Sequence, residues 1–156
     1  MLDGNQAREA PPDVNALLER IEEGWRALMH ALDDIPEDRM DDPGACGEWS
    51  IKNVMGHTAF WDEQALAKIE RTLAGLPDGE SDFQALNEAD HAARLGRTLA
   101  EERSAMHQAH AAVVARLDEV AGIEASTLDE AIRPDTYDHY AEHAQDIRGW
   151  RQREGV

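Results

Sequence analysis

Cysteine occurs once in the 156 residues, at Cys46. That excludes an internal disulfide, a Cys-x-x-Cys redox motif and a zinc finger built on cysteines. Basic side chains are also scarce, with 15 Lys and Arg against 33 Asp and Glu and a formal net charge of -18. A field of that sign repels phosphate backbones, so nucleic acid is not an expected partner. No apolar run approaches the ~20 residues of a membrane-spanning helix, and the first fourteen residues, MLDGNQAREAPPDV, are polar and acidic. A soluble, cytoplasmic protein with no membrane partner is the expectation. Alternating runs of β-branched and aromatic residues are nearly absent, whereas Ala, Leu, Glu, Arg and Gln fill long stretches. The fold class expected is therefore all-α, in one domain over 13–153 behind a disordered tail, 1–12. The acidic excess, spread over polar faces, reads as a solvated surface.

Apolar residues recur at steps of three and four. Val14, Leu17, Leu18, Ile21, Trp25, Leu28 and Leu32 make one stripe, on a helix that begins after Pro11-Pro12-Asp13 and ends near Asp33. Pro36, Pro43, Gly44 and Gly47 then make 34–48 a long loop, which contains Cys46. Ser50 can cap a second helix carrying Val54, Trp61, Ala65, Leu66, Ile69 and Leu73, stopped by Gly75 and Pro77. A third helical region starts near Ser81-Asp82, pauses at Gly96 and restarts at Thr98 and Glu101, which have capping-box spacing. Its face is Met106, Val113, Val114, Leu117 and Val120. Residues 122–135 read as a connection, after which Asp135 or Thr136 caps a last helix running to about Gln152. Four amphipathic helices with long connecting loops make a four-helix bundle.

Of the seven histidines, His139 and His143 lie four apart on the last helix, close enough for both imidazoles to ligate one ion. Ile147 and Trp150 continue the same stripe and mark that face as inward. His57 repeats the pattern on the second helix, between Val54 and Trp61. A buried histidine without a partner costs desolvation and lost hydrogen bonds. For any one of them a hydrogen-bonded core residue is the simpler account, but three facing one interior are best explained by a divalent metal. Three protein ligands would leave a coordination position for water or substrate. Imidazoles suit zinc, nickel, copper and iron alike, with zinc or nickel the first expectation. His110 reads as core packing, His107 lies on a more polar side, and His30 and His91 are expected to be exposed. Asp146, Asp135 and Glu142 are spaced to orient the imidazoles. Trp61 and Phe60, beside His57, are candidates for an apolar substrate wall, and Cys46 lacks the positive neighbours of a reactive thiolate.

The segment Glu48-Trp49-Ser50-Ile51-Lys52-Asn53-Val54-Met55-Gly56-His57-Thr58-Ala59-Phe60-Trp61 resembles the second-helix signature of the DinB-like (YfiT-like) superfamily. Tyr137-Asp138-His139-Tyr140-Ala141-Glu142-His143 resembles its fourth-helix His-x-x-x-His, and the likeness runs from about 13 to 152. The Trp-Ser start and the stretch around Asn87 are similar to members akin to the maleylpyruvate isomerase amino-terminal domain and the colibactin-resistance type. The resemblance implies an up-down-down-up bundle, often homodimeric, with a divalent metal on His57, His139 and His143. It further implies a metal-dependent enzyme that transfers a low-molecular-weight thiol cosubstrate to an electrophilic small molecule, or a related detoxification. A non-catalytic protein that sequesters a metal or toxin, and a purely structural bundle, stay open beside it, and fold likeness picks no substrate.

Overall fold

The computed structural model describes residues 9–77, 79, 81–120 and 122–156, and its secondary structure among them is helical apart from one isolated bridge between Cys46 and Trp49. Four long helices, α1 (Val14–Leu32), α2 (Ile51–Leu73), α4 (Leu99–Glu119) and α6 (Tyr137–Glu154), form the bundle, and α3 (Phe83–Ala93) and α5 (Ala125–Ile132) sit in the connections. Of the tail expected over 1–12, residues 1–8 lie outside the described ones; Pro11 is buried and the Glu9 carbonyl accepts from Arg20 at 2.6 Å.

The starts of the helices are set by side chains satisfying the free backbone N–H groups of a first turn. Asp13 accepts from the Ala16 N–H at 2.8 Å and opens α1. Ser50 and Asn53 cap α2 reciprocally, with the Asn53 N–H on Ser50 Oγ at 3.1 Å and the Ser50 N–H on Asn53 Oδ1 at 3.0 Å. The expected pause at Gly96 is a full break, after which Thr98 caps α4 by accepting from the Glu101 N–H.

The direction of each helix follows from which residues meet. Arg151, late in α6, donates to the carbonyls of Ala31 and Asp33 at the end of α1, so those two run parallel. Arg116 pairs with Glu70 where α4 and α2 end, and Glu102 lies against Gly56 where they begin, so this pair is parallel too. Between the pairs, Glu22 and Trp25 of α1 and Glu37 just beyond it meet His110, His107 and Arg103 of α4, in the reverse order along the chain. The connectivity is therefore up-down-down-up. Leu17, Ile21, Leu28, Ile51, Ile69, Leu117 and Ile147 fill the middle with essentially no exposed surface.

Two expectations are corrected. Residues 122–135 hold α5, because Ala125, Leu128 and Ile132 share one face and are buried against the bundle. Neither Asp135 nor Thr136 caps α6 by a side-chain bond. The Thr136 hydroxyl donates backward to the Ile132 carbonyl at 2.8 Å, and Asp135 pairs with Lys68 at 2.6 Å.

Close approach of α2 and α4 depends on Gly56. A Cβ there would overlap the Glu102 carboxylate and come within 2.9 Å of Arg94 Cδ. Glu102 is only 2% exposed and pairs with Arg94, at 3.1 Å, and with Arg97. Arg94 in turn holds Asp90 at 2.9 Å, which ties α3 to the bundle. Alanine in place of a mid-helix glycine adds about 1 kcal/mol of helix propensity, but disrupting a buried ion pair costs about 3–5 kcal/mol. Gly56→Ala is therefore expected to lower stability by about 2–4 kcal/mol, contrary to propensity. Urea unfolding checks the sign.

Candidate metal centre and its cleft

His57 projects from the second turn of α2, and His139 and His143 from the first two turns of α6. The antiparallel crossing of these helices brings the three rings together. His139 Nε2 lies 3.0 Å from His57 Nε2 and 2.8 Å from His143 Nε2. All three residues are buried, at 8%, 8% and 3% exposure for His57, His139 and His143.

An imidazole nitrogen offers a single in-plane position, occupied either by a proton or by a lone pair. His139 Nε2 has a neighbouring nitrogen on both sides and can serve only one of them by a hydrogen bond. No distribution of protons satisfies all three nitrogens, whereas one cation satisfies them together. Bonds of about 2.0–2.1 Å at tetrahedral angles set donor separations of about 3.3 Å, close to those observed. The donor set therefore fits a divalent ion. Burial, reinforced by His143, Arg94 and His91, lowers His57 to about 3, and burial lowers His139 and His143 as well. The rings are neutral near pH 7, so their lone pairs are available.

Of the three acids with suitable sequence spacing, Asp146 meets an imidazole: its Oδ2 is 3.3 Å from His143 Nδ1. A proton on Nδ1 leaves Nε2 of that ring free for an ion. Glu142 is exposed and lines the cleft above the histidines. Cys46 groups with His143 and Asp146, all within 4.8 Å of one another. Burial, with the Asp146 carboxylate adding to it, pushes the Cys46 thiol up to about 11, as a residue without positive neighbours should behave.

The histidines form the floor of a cleft of ≈ 680 Å³. Trp49, Trp61 and Phe83 wall it, and Cys46, Glu48 and Pro134 are among the residues at its margin. Trp49 meets the His57 ring edge-on at 4.7 Å, and the Trp61 indole N–H donates to Asn87 Oδ1 at 2.8 Å. Phe60, paired with Trp61 in the sequence reading, is not among the lining residues; it packs edge-on behind Trp61 at 5.3 Å. His91 is half-buried rather than exposed, stacked on Trp49 at 5.1 Å. His30 is exposed, and so is His107, which rests edge-on against Trp25. His110 is a core residue stacked on Trp25 at 3.9 Å and bonded to Tyr140 and Glu22. Sequence reasoning passed over Trp49 and Phe83 as wall residues. The eight-residue step from Trp49 to His57 carried the signal for the first, but nothing marked the second.

The sequence profile of the DinB superfamily matches residues 20–153. The chain belongs to the DinB superfamily. Among solved structures, this DinB protein is similar to an uncharacterised protein from Escherichia coli UTI89, at TM-score 0.77 and 16% identity, covering 94% of this chain and 97% of the other. It is similar to the colibactin self-resistance protein ClbS, solved in complex with dsDNA, at TM-score 0.73 and 14% identity over 89% and 95% of the two chains. A Streptococcus pneumoniae protein follows at TM-score 0.69 and 16% identity over 90% and 91%. At such identities the likeness is one of fold. No functionally curated protein matches the sequence. No helix among the described residues is long and apolar enough to cross a membrane.

Purified protein is expected to bind one divalent ion per chain, and His57→Ala, His139→Ala and His143→Ala each to lose it, as elemental analysis without a histidine tag would report. Asp146→Asn should keep the stoichiometry and weaken affinity about 10–100-fold. Alkylation of Cys46 by iodoacetamide should stay slow at pH 8 and keep rising with pH beyond 9.5. A half-maximal rate near pH 8.5 and a plateau by about pH 10 would show an ordinary thiol.

Proposed function

We propose that this DinB protein is a divalent-metal-dependent enzyme that joins a low-molecular-weight thiol to an electrophilic small molecule, with zinc or nickel on His57, His139 and His143. The observation that carries the reading is the position of the three converging nitrogens: they form the floor of an open cleft, where a closed structural site would lie sealed in the core. An ion held there supplies Lewis acidity, which lowers the pKa of a thiol brought to it. The chain's own residues do the rest. Asp146, 3.3 Å from His143 Nδ1, favours the tautomer that frees Nε2, the aromatic walls give the reacting pair an apolar surround, and neutral imidazoles leave the ion's charge uncompensated. The thiol sulfur bonds to the electrophilic carbon, the leaving group departs with its electron pair, and the thiol proton passes to solvent.

A self-resistance protein in the same fold is in keeping with detoxification. The dsDNA of that structure is not carried over, because the -18 charge here opposes a phosphate backbone. The test is turnover of bacillithiol or mycothiol with an aryl halide by zinc- and nickel-loaded protein. Metal-dependent release of halide, abolished in His57→Ala, is expected. Stoichiometric protection without turnover would replace the enzyme with a binding protein.

A further inference from the structure

The helix α3 is unusual in burying none of its side chains. Its contacts fall on one face, where Phe83, Asn87 and His91 recur every fourth residue. That face covers the two tryptophans of the cleft. Phe83 lies 5.5 Å from the Trp61 ring, Asn87 holds the Trp61 indole N–H at 2.8 Å, and His91 stacks on Trp49 at 5.1 Å with planes 15° apart. Hydrophobic burial does not explain Phe83, which remains 57% exposed at the cleft. The cleft holds two of the chain's four tryptophans and one of its two phenylalanines, although aromatics are only 5% of the sequence. The Asn87 bond fixes the Trp61 indole about its own axis, so the part of this largely buried ring that lines the cleft is held in a defined orientation. Glu48 and Glu142 line the cleft as well, and none of the described lining residues is a Lys or Arg.

We propose that the cleft takes a planar aromatic molecule, uncharged or cationic, seated against Trp49, Trp61 and Phe83 with its reactive end toward His57 and His139. Flat rings gain most from offset or edge-on contact with pinned aromatic faces. A ring-borne ammonium is further favoured over those faces and beside the two glutamates, and a carboxylate is disfavoured by both. This narrows the substrate class of the reaction proposed above and rests on the cleft being where that reaction occurs.

The test is calorimetric titration of metal-free and zinc-loaded protein with four matched probes: naphthylmethanol, its fully saturated decahydro analogue, naphthylmethylamine and naphthoate. Naphthylmethanol is expected to bind about tenfold more tightly than the saturated analogue, the scale of two aromatic contacts. On metal-free protein the amine should equal or exceed the alcohol, and naphthoate should bind weakest. The Trp61 indole resonance should shift with the aromatic probes. Phe83→Ala, at an exposed position that folding does not need, should weaken naphthylmethanol about fivefold and leave zinc affinity unchanged. Equal binding of the saturated analogue, tightest binding of naphthoate to metal-free protein, no binding of any probe, or indifference to Phe83→Ala would each overturn the proposal. Absence of stoichiometric zinc with the aromatic preference intact would instead overturn the metal reading and leave the ligand class standing.

Discussion

A ring nitrogen of histidine can make one in-plane bond, and three such nitrogens have been brought to a single point inside this bundle. The arrangement follows from helix geometry. A spacing of four puts His139 and His143 on one face of α6, and the antiparallel crossing of α2 brings His57 up to His139. Hydrogen bonding alone leaves at least one of these contacts unsatisfied in a place where desolvation makes that costly. A cation at the shared point removes the conflict, so the same geometry that is awkward for a core is apt for a ligand set. Asp146 on the far side of His143 agrees with this, since a metal-binding imidazole needs its other nitrogen protonated.

The adjoining polar cluster shows how the bundle treats buried groups that are complete by themselves. Glu22, His110, Tyr140 and Asp62 come from α1, α4, α6 and α2, so the chain of contacts crosses all four long helices. His110 Nε2 lies 3.0 Å from Glu22 and its Nδ1 3.0 Å from the Tyr140 hydroxyl, which is 2.7 and 2.8 Å from the two Asp62 oxygens. A proton on Nε2 meets Glu22. With Asp62 protonated, its proton and that of the hydroxyl can be shared among Nδ1, the hydroxyl oxygen and the carboxyl, with no ion buried among them. Burial favours that arrangement, raising Asp62 well above the usual carboxylate range and lowering His110. Protons can thus close one cluster, whereas its neighbour, one residue along α6, has a geometry that only an ion would close.

How much of this was legible in the sequence depended on the range of the interaction. The long helices and the inward histidines are written in steps of three and four residues, and these survive because bundle packing follows helix periodicity. The helix α5 was hidden because eight residues give two turns, too few for a stripe to stand out from a connection ending in Pro134. Thr136 looks like a cap by residue type, yet with helical turns on both sides its hydroxyl reaches back to Ile132 instead. His91 looks solvated beside charged neighbours until Trp49, forty-two positions earlier, stacks on it. Phe60 and Trp61 are adjacent in sequence and therefore point to different sides of a helix, which is why one of them lines the cleft and the other stands behind it.

The wall supplied by α3 differs in kind from the rest of the cleft. Eleven residues are too few for a helix to persist alone in water, and this one has no buried apolar face to compensate. It is attached by ring contacts of Phe83 on Trp61 and His91 on Trp49, by one hydrogen bond from Trp61 to Asn87, and by Arg94 shared between Asp90 and Glu102. The floor, in contrast, belongs to α2 and α6, whose neighbouring side chains Ile69, Tyr140 and Ile147 have no exposed surface. Local opening follows the regions with the fewest buried apolar contacts. The cleft therefore joins a rigid set of histidines to one wall that is less costly to open than the bundle beneath it.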